Sequence, residues 1–238
     1  MDCKQFFDKL SGKKIAMCGI GVSNTPLILS FLSKGARVIA CDRRSREQIG
    51  TIADDLERAG AELQLGENYL QNLEVDIIFR TPGMNFYLPE LEDARKKGIP
   101  VTSEMEVFFD LCPATIFAVT GSDGKTTTTT LIAKMLEAEG KKVFVGGNIG
   151  NPLLPEIENI TKDDYVVVEL SSFQLISMRK SPDHMLAHRS SFVKYFFQVF
   201  ANFFPVRFHS RCSRGQLAYT TIHLPNCQAH FTNFAFSF

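Results

Sequence analysis

Residues 13–183 alternate between short apolar runs and segments with helical periodicity. The runs at 14–18, 37–41 and 115–119 have the length of buried strands. Strands that alternate with helices form parallel sheets covered by helices, because a parallel connection must cross over the sheet. The sequence therefore predicts an α/β protein.

Residues 1–112 are predicted to form a Rossmann-like domain. The strand at 14–18 ends at Gly19-Ile20-Gly21, and a helix is expected to begin at Asn24-Thr25-Pro26, where proline suits the first turn. A domain boundary is expected near Leu111-Cys112-Pro113. Beyond it, 113–183 repeat the strand and helix pattern and are predicted to form the first part of a P-loop ATPase domain.

Two helix starts carry the spacing of a capping box, which pairs a serine with Glu or Gln three residues later. They are Ser45 with Gln48 and Ser103 with Glu106. After the first, apolar residues continue at helical spacing and predict a helix that ends near Gly60. A further strand is predicted over 75–79.

The glycine-rich loop Thr120–Thr127 lies between the strand at 115–119 and a helix. Glycines allow backbone amides to face an oxyanion, and the helix N-terminus and a lysine add positive charge. The loop thus predicts a nucleoside triphosphate site, with Lys125 as the catalytic phosphate-binding residue. The general pattern has glycine where this chain has Val119, so the match is incomplete. The predicted ATP-binding residues are Gly121, Ser122, Asp123, Gly124, Lys125, Thr126 and Thr127.

Glu169 follows three valines in another predicted strand. Without a partner, a carboxylate at such a position would be costly to desolvate. A divalent cation between phosphates needs hard oxygen ligands, which a hydroxyl and an acid at a neighbouring strand end can supply. Thr126 and Glu169 are therefore the predicted Mg²⁺ ligands.

Residues 184–238 differ in composition from the rest of the chain. All 26 acidic residues lie in 1–183, which carries a net charge of −5, whereas the tail carries +5 and all five histidines. Its phenylalanine-rich runs keep neither a helical nor a strand period, so an irregular tail is expected. We favour an out-of-frame or disordered tail; a membrane-surface segment and a native aromatic subdomain are the alternatives.

The whole chain balances 26 basic against 26 acidic residues, which argues against a nucleic-acid-binding charge excess. It has no apolar stretch of membrane-spanning length, and its first ten residues contain four charges where a signal peptide needs an apolar core. No membrane insertion and a cytoplasmic location are expected. The six cysteines form no C-x-x-C pair, so buried thiols are expected.

The loop Thr120–Thr127 resembles the ATP loop of the Mur ligase family, T-G-[TS]-[ND]-G-K-[ST]-T. Gly146–Gly150 and Glu169–Leu175 look like the corresponding segments of its D-glutamate-adding members, and the resemblance covers roughly 10–183. It implies an ATP- and Mg²⁺-dependent ligase of peptidoglycan precursor synthesis. Such an enzyme joins D-glutamate to UDP-N-acetylmuramoyl-L-alanine through an acyl phosphate.

The resemblance also implies that the first domain binds UDP. Asp42 lies 23 residues after Gly19, where NAD enzymes place a ribose-binding acid, so an oxidoreductase is an alternative. Asn24 replaces the third glycine of the dinucleotide fingerprint and weakens that alternative. The substrate-binding residues implied by the resemblance are Ser23, Asp42, Arg44, Gly83, Asn148, Ser171 and Gln174.

After Asp183 the family continues with a strand, a histidine-containing metal loop and a carbamylated lysine, none of which is recognisable here. His184 and His188 are not expected to be metal ligands, and the D-glutamate-binding third domain is missing. Two hypotheses stay open. The chain is either a truncated or frameshifted ligase without turnover, or a stand-alone nucleotide-binding module.

Overall fold

The computed structural model describes residues 3–175 and 178, together with the backbone of 184–188, 207–211, 218–223 and 235–236. We call residues 3–112 the first unit, in which strands alternate with helices. Its elements are α1 (Cys3–Leu10), β1 (Lys14–Cys18), α2 (Asn24–Ser33), β2 (Arg37–Asp42), α3 (Arg46–Ile49), α4 (Thr51–Arg58), β3 (Glu62–Leu65), β4 (Ile77–Arg80), α5 (Pro89–Lys96), β5 (Val101–Thr102) and α6 (Glu104–Leu111).

The five strands of this unit form one parallel sheet in the order β3-β2-β1-β4-β5. The chain adds β2 and β3 on one side of β1 and then crosses to add β4 and β5 on the other. The strand order therefore reverses beside β1, and ligands of open α/β sheets bind at the carboxyl ends of strands at such a point. The Rossmann-like prediction for the first unit is confirmed.

The second unit is also α/β. Its elements are β6 (Thr115–Gly121), α7 (Lys125–Ala138), β7 (Val143–Gly147), a 3-10 helix (Leu154–Asn159), β8 (Tyr165–Glu169), α8 (Ser172–Leu175) and β9 (His184–His188). The four strands form a parallel sheet in the order β7-β8-β6-β9. Val119 and Gly147 both lie opposite Glu169, so three strand ends meet at this carboxylate.

The tail contains strands that the sequence analysis did not expect. β9 pairs in parallel with β6, and β10 (Arg207–Arg211), β11 (Ala218–His223) and β12 (Ala235–Phe236) form an antiparallel sheet. The expectation of an irregular tail is wrong for these segments. A three-residue apolar run between two histidines, as in β9, is too short to show a strand period. The rest of the tail, including Cys212 and Cys227, lies outside the described residues.

Both predicted helix starts show a hydrogen bond of the capping box. The backbone N–H of Ser45 donates to Gln48 Oε1 at 2.9 Å, and Ser103 Oγ accepts from the backbone N–H of Glu106 at 3.4 Å. The helix predicted to run from the first cap to Gly60 is instead divided into α3 and α4 by Gly50, whose φ is 69°. A positive φ cannot continue a right-handed helix, which explains the break.

One continuous apolar core joins the two units. Phe7 of α1, Leu27 of α2 and Phe108 of α6 belong to the same buried cluster as Leu154 and Ile157 of the 3-10 helix. At the surface, Lys34 Nζ forms an ion pair with Glu158 at 2.7 Å across the same boundary. The shared core fixes the position of one unit's strand ends relative to the other's.

Among the described residues, no helix has both the length and the apolar character needed to span a bilayer. Within the same part of the chain, Cys3, Cys18, Cys41 and Cys112 are free thiols, and the last three are buried as expected.

Candidate functional site

The turn between β6 and α7 is built by two glycines with positive φ. Gly121 has φ of 139°, and Gly124, the N-cap of α7, has φ of 70° in the left-handed region. L side chains rarely adopt these conformations, so glycine is required at both positions. Lys125 then begins a 14-residue helix whose first amides face the turn. This arrangement suits an anionic ligand at the helix N-terminus.

The Lys125 ammonium lies over the same turn. Its Nζ donates to the carbonyl oxygens of Gly121 at 2.8 Å and Ser122 at 3.0 Å. The side chain thus adds a full positive charge beside the amides of the helix N-terminus. Ser122 and Asp123 are exposed on the same turn, and Thr127 is exposed in the first turn of α7.

Glu169 at the end of β8 and Thr126 in the first turn of α7 are in direct contact. Thr126 Oγ1 donates to Glu169 Oε2 at 2.7 Å, and Asn148 Nδ2 donates to Glu169 Oε1 at 3.1 Å. Glu169 is only 2 % exposed. The structure therefore brings two side chains, 43 and 21 residues away in sequence, into contact with one carboxylate.

The oxygen atoms of Glu169 and Thr126 are of the kind that bind a magnesium ion. Among the described residues no basic side chain forms an ion pair with this buried carboxylate, and a buried charge without a counter-charge is costly. That part of the chain also has no group of three His, Cys, Asp or Glu side chains that could hold a metal by itself. A hydroxyl and one carboxylate are the incomplete set of hard oxygens that Mg²⁺ takes when phosphates and water supply the rest. Thr126 and Glu169 would hold the ion.

Gly147 allows the close approach of β7 to Glu169. Its φ is 93°, and a Cβ atom at this position would lie 2.2 Å from the Glu169 carbonyl oxygen. That oxygen accepts the backbone N–H of Asn148 at 2.7 Å. Gly147 is not among the site residues predicted from sequence. The Gly-Gly-Asn-Ile-Gly run that contains it could have indicated a close approach of the backbone.

A cavity of about 520 Å³ lies at the carboxyl ends of β1, β2 and β4. Asp42, Arg44 and Gly83 line it, so the structure brings these three predicted substrate-binding residues together. Gly19 and Tyr69 also contribute to its wall, and Tyr69 was not identified from sequence. Burial raises the pKa of the Tyr69 hydroxyl, which therefore stays protonated and able to donate.

Asp42 orders this cavity by holding Arg44. Its Oδ1 accepts from the backbone N–H and the Nε of Arg44, both at 2.9 Å; its Oδ2 accepts from Ile20 N at 2.7 Å and Arg44 Nη2 at 2.8 Å. A carboxylate has about four acceptor sites. All four are filled by protein donors, which leaves little capacity for a ribose diol and weighs against the oxidoreductase alternative. The Asp42 carboxylate thus holds the guanidinium of Arg44, which lines the cavity.

Burial of Asp42 would raise its pKa, but the hydrogen bonds from Arg44 and Ile20 outweigh burial and hold the pKa below its usual value. Stabilisation from a carboxyl with a lowered pKa is present above the unfolded pKa of about 3.9 and is lost as pH falls through the folded pKa. We therefore expect Asp42→Asn to lower the free energy of unfolding near neutral pH, with the difference from wild type shrinking in acid. Urea unfolding between about pH 7 and pH 2 measures this difference.

The exposed Asp163→Asn variant is the control for this experiment, because its difference from wild type should stay small at every pH. A stability difference for Asp42→Asn that does not depend on pH would contradict the assigned charge role.

A second cavity, of about 200 Å³, lies between the two units. Ser23 and Gly83 line it from the first unit, and Asn148 and Gln174 line it from the second. Ser171 caps α8 instead: its backbone N–H donates to Gln174 Oε1 at 2.8 Å, and its Oγ donates to the same atom at 3.0 Å. Gly83 lines both cavities, so the two cavities adjoin at this residue. Glu104 also lines this cavity and was missed by the sequence analysis.

Known proteins are similar to this chain in sequence. Residues 119–188 match the Mur ligase middle domain. The UDP-N-acetylmuramoylalanine–D-glutamate ligase of Clostridium botulinum strain Okra is 52% identical over 180 residues, covering 75% of this chain and 39% of that protein. The ligase of the same name from Acetivibrio thermocellus is 53% identical over 179 residues, covering 75% and 38%.

The chain spans about two fifths of the length of each of these relatives. Among solved structures, the UDP-N-acetylmuramate–alanine ligase MurC of Thermotoga maritima aligns with a TM-score of 0.44 and 23% identity over 80% of this chain and 45% of that one. The domain match and the identity of about one half to these ligases show that the chain belongs to the Mur ligase family.

Proposed function

We propose that this chain provides the UDP-binding domain and part of the ATP-binding domain of a cytoplasmic ligase that adds D-glutamate to UDP-N-acetylmuramoyl-L-alanine. The observation that carries the proposal is the contact of Thr126 and Asn148 with the buried Glu169 carboxylate, beside Lys125 at the start of α7. The relatives named above support the choice of substrates. Because the chain spans two fifths of their length, the complete reaction is proposed for the whole ligase.

In the proposed reaction, the alanyl carboxylate attacks the γ-phosphate of ATP and displaces ADP, which gives an acyl phosphate. The amine of D-glutamate then attacks the acyl carbon, loses a proton and displaces phosphate, which leaves the amide. Such phosphoryl transfer depends mainly on neutralising charge. Lys125 would neutralise the β- and γ-phosphates, since its ammonium lies beside the helix N-terminus. Thr126 and Glu169 would hold a magnesium ion, which would supply further positive charge to the phosphates. The Asn148 amide fixes the orientation of the Glu169 carboxylate.

The UDP moiety is placed in the larger cavity. The Arg44 guanidinium, held by Asp42, faces it as a donor and positive charge for a diphosphate or a uracil carbonyl. From there the sugar and its alanyl group would extend through the smaller cavity past Gly83 and Asn148. This path connects the two nucleotide sites at the boundary between the units.

Calorimetric titration of the 238-residue chain with UDP and with ADP, in the presence and absence of Mg²⁺, tests the proposal. We expect both nucleotides to bind, with ADP binding strengthened by Mg²⁺. Glu169→Gln should remove most of that Mg²⁺ dependence, by about 10-fold or more in affinity, and leave UDP binding unchanged. The exposed Glu137→Gln on α7 is the matched control. Binding of ADP that Mg²⁺ does not alter in wild type would refute the assigned metal site.

A nucleotide-binding module without catalysis is the alternative, and it rests on the same cavity and glycine turn. This alternative predicts the same results for the binding of UDP and ADP. Phosphate release by the purified chain that depends on both UDP-N-acetylmuramoyl-L-alanine and D-glutamate would exclude it. We expect no such release from this chain by itself.

A further inference from the structure

Glu104 links the two units through hydrogen bonds that neither the loop motif nor the predicted substrate sites involve. It is the first residue of α6, and its Oε1 accepts the backbone N–H of Leu153 at 2.8 Å and of Leu154 at 2.7 Å. These amides lie at the start of the 3-10 helix, where backbone donors lack partners within the helix. One carboxylate oxygen of the first unit thus caps a helix of the second.

The capped segment is the end of the loop that carries Asn148. A Cβ atom at Gly146 would lie 2.5 Å from Leu153 Cγ and 3.0 Å from the Asn151 carbonyl oxygen, so the loop closes tightly on itself. Leu153 is also buried in the core shared by the units. Fixing the Leu153 amide therefore restricts the whole closed loop, including the Asn148 amide that contacts Glu169.

We propose that Glu104 is a positioning residue that anchors the Asn148 loop to the first unit and thereby sets the Asn148 amide on the Glu169 carboxylate. This inference rests on the proposed function, since it makes Glu104 act on the Mg²⁺-nucleotide site through Asn148. It also gives a route by which the UDP-binding unit fixes the geometry of the ATP site.

The environment of Glu104 shows which part of its side chain matters. Burial raises the pKa of its carboxyl, and the hydrogen bonds from Leu154 and Leu153 oppose that rise. The anchoring needs an accepting oxygen at the Oε1 position, and the amide of glutamine offers one with the same shape. Glu104→Gln should therefore keep the anchor, whereas Glu104→Ala removes it.

The first test measures how much Mg²⁺ is needed for ADP to bind to the 238-residue chain. We expect Glu104→Ala to raise the Mg²⁺ concentration at half-saturation about 10-fold, with Mg²⁺-free ADP binding and UDP binding unchanged. Glu104→Gln should stay near wild type. Glu158→Gln is the control, because it removes the exposed ion pair with Lys34 across the same boundary without touching the loop. Equal Mg²⁺ dependence in Glu104→Ala and wild type would overturn the proposal.

The second test compares Glu104→Ala, Asn148→Ala and the double variant. If Glu104 acts through Asn148, the double variant should require no more Mg²⁺ than Asn148→Ala alone, whereas multiplied effects would contradict the route. Amide hydrogen exchange of Leu153 and Leu154 provides a readout that needs no nucleotide. Their protection should fall selectively in Glu104→Ala; unchanged protection would overturn the anchor even if the proposed nucleotide function itself failed.

Discussion

Replacing Gly147 with alanine is expected to destabilise the protein by about 3 kcal/mol or more, because two costs fall on the same residue. The new Cβ would lie 2.2 Å from the Glu169 carbonyl oxygen, and this neighbour is backbone in a central position of the sheet that cannot rotate away. The φ of 93° is in addition a conformation that L side chains rarely adopt. Relief of the clash must displace β7 from β8 and so move Glu169 or Asn148.

Gly140→Ala separates these two costs. Gly140 has a φ of 73°, but a Cβ there would meet no atom within 4 Å. Gly140→Ala should therefore lower the free energy of unfolding only by the conformational cost, about 1 to 2 kcal/mol. Urea unfolding followed by circular dichroism measures both variants, and titration with Mg²⁺ and ADP reports whether the site survives in Gly147→Ala. Stabilities of the two variants within about 0.5 kcal/mol of each other would show that the strands separate at no cost.

The elements that sequence predicted well are those specified by neighbouring residues. The strand at Lys14–Cys18, the start of α2 at Asn24 and the glycine turn before Lys125 follow from apolar period, proline and glycine within a few positions. The proximity of Glu169 and Thr126 could also be predicted, because the carboxyl ends of parallel strands meet at one edge of the sheet. The assignment of these residues to a nucleotide site is still a prediction.

The features that sequence did not predict depend on contacts between distant segments. Glu104 reads as an ordinary first-turn acid of α6, and only folding brings the Leu153 amide 2.8 Å from its oxygen. Gly147 reads as a turn glycine until the register of β7 and β8 places it against the Glu169 backbone. Asp42 is predicted from sequence to bind substrate, which is untested, and only the fold shows that its carboxylate accepts four hydrogen bonds from Ile20 and Arg44.

The second large effect is expected for Lys125→Ala, which should weaken ADP binding about 10- to 100-fold, since hydrogen bonds to charged groups are worth about 1.5 to 3 kcal/mol. The Nζ lies over the turn at Gly121 and Ser122, so its removal takes away a formal positive charge from this helix start. Backbone amides of the turn would remain, which limits the loss. Binding of UDP should not change, because the larger cavity is lined by residues of the first unit alone.

Calorimetric titration of Lys125→Ala with ADP, with ATP and with UDP measures these effects, and the thermal unfolding temperature checks that the fold is intact. Lys134→Ala is the matched control: it removes the same charge from the exposed face of α7 and should bind all three nucleotides as wild type does. The loss for Lys125→Ala should grow from ADP to ATP, because the γ-phosphate adds charge beside the missing ammonium. Equal affinities of the two lysine variants for ATP would mean that the phosphates lie elsewhere, and the nucleotide site would then have to be moved away from the turn before α7.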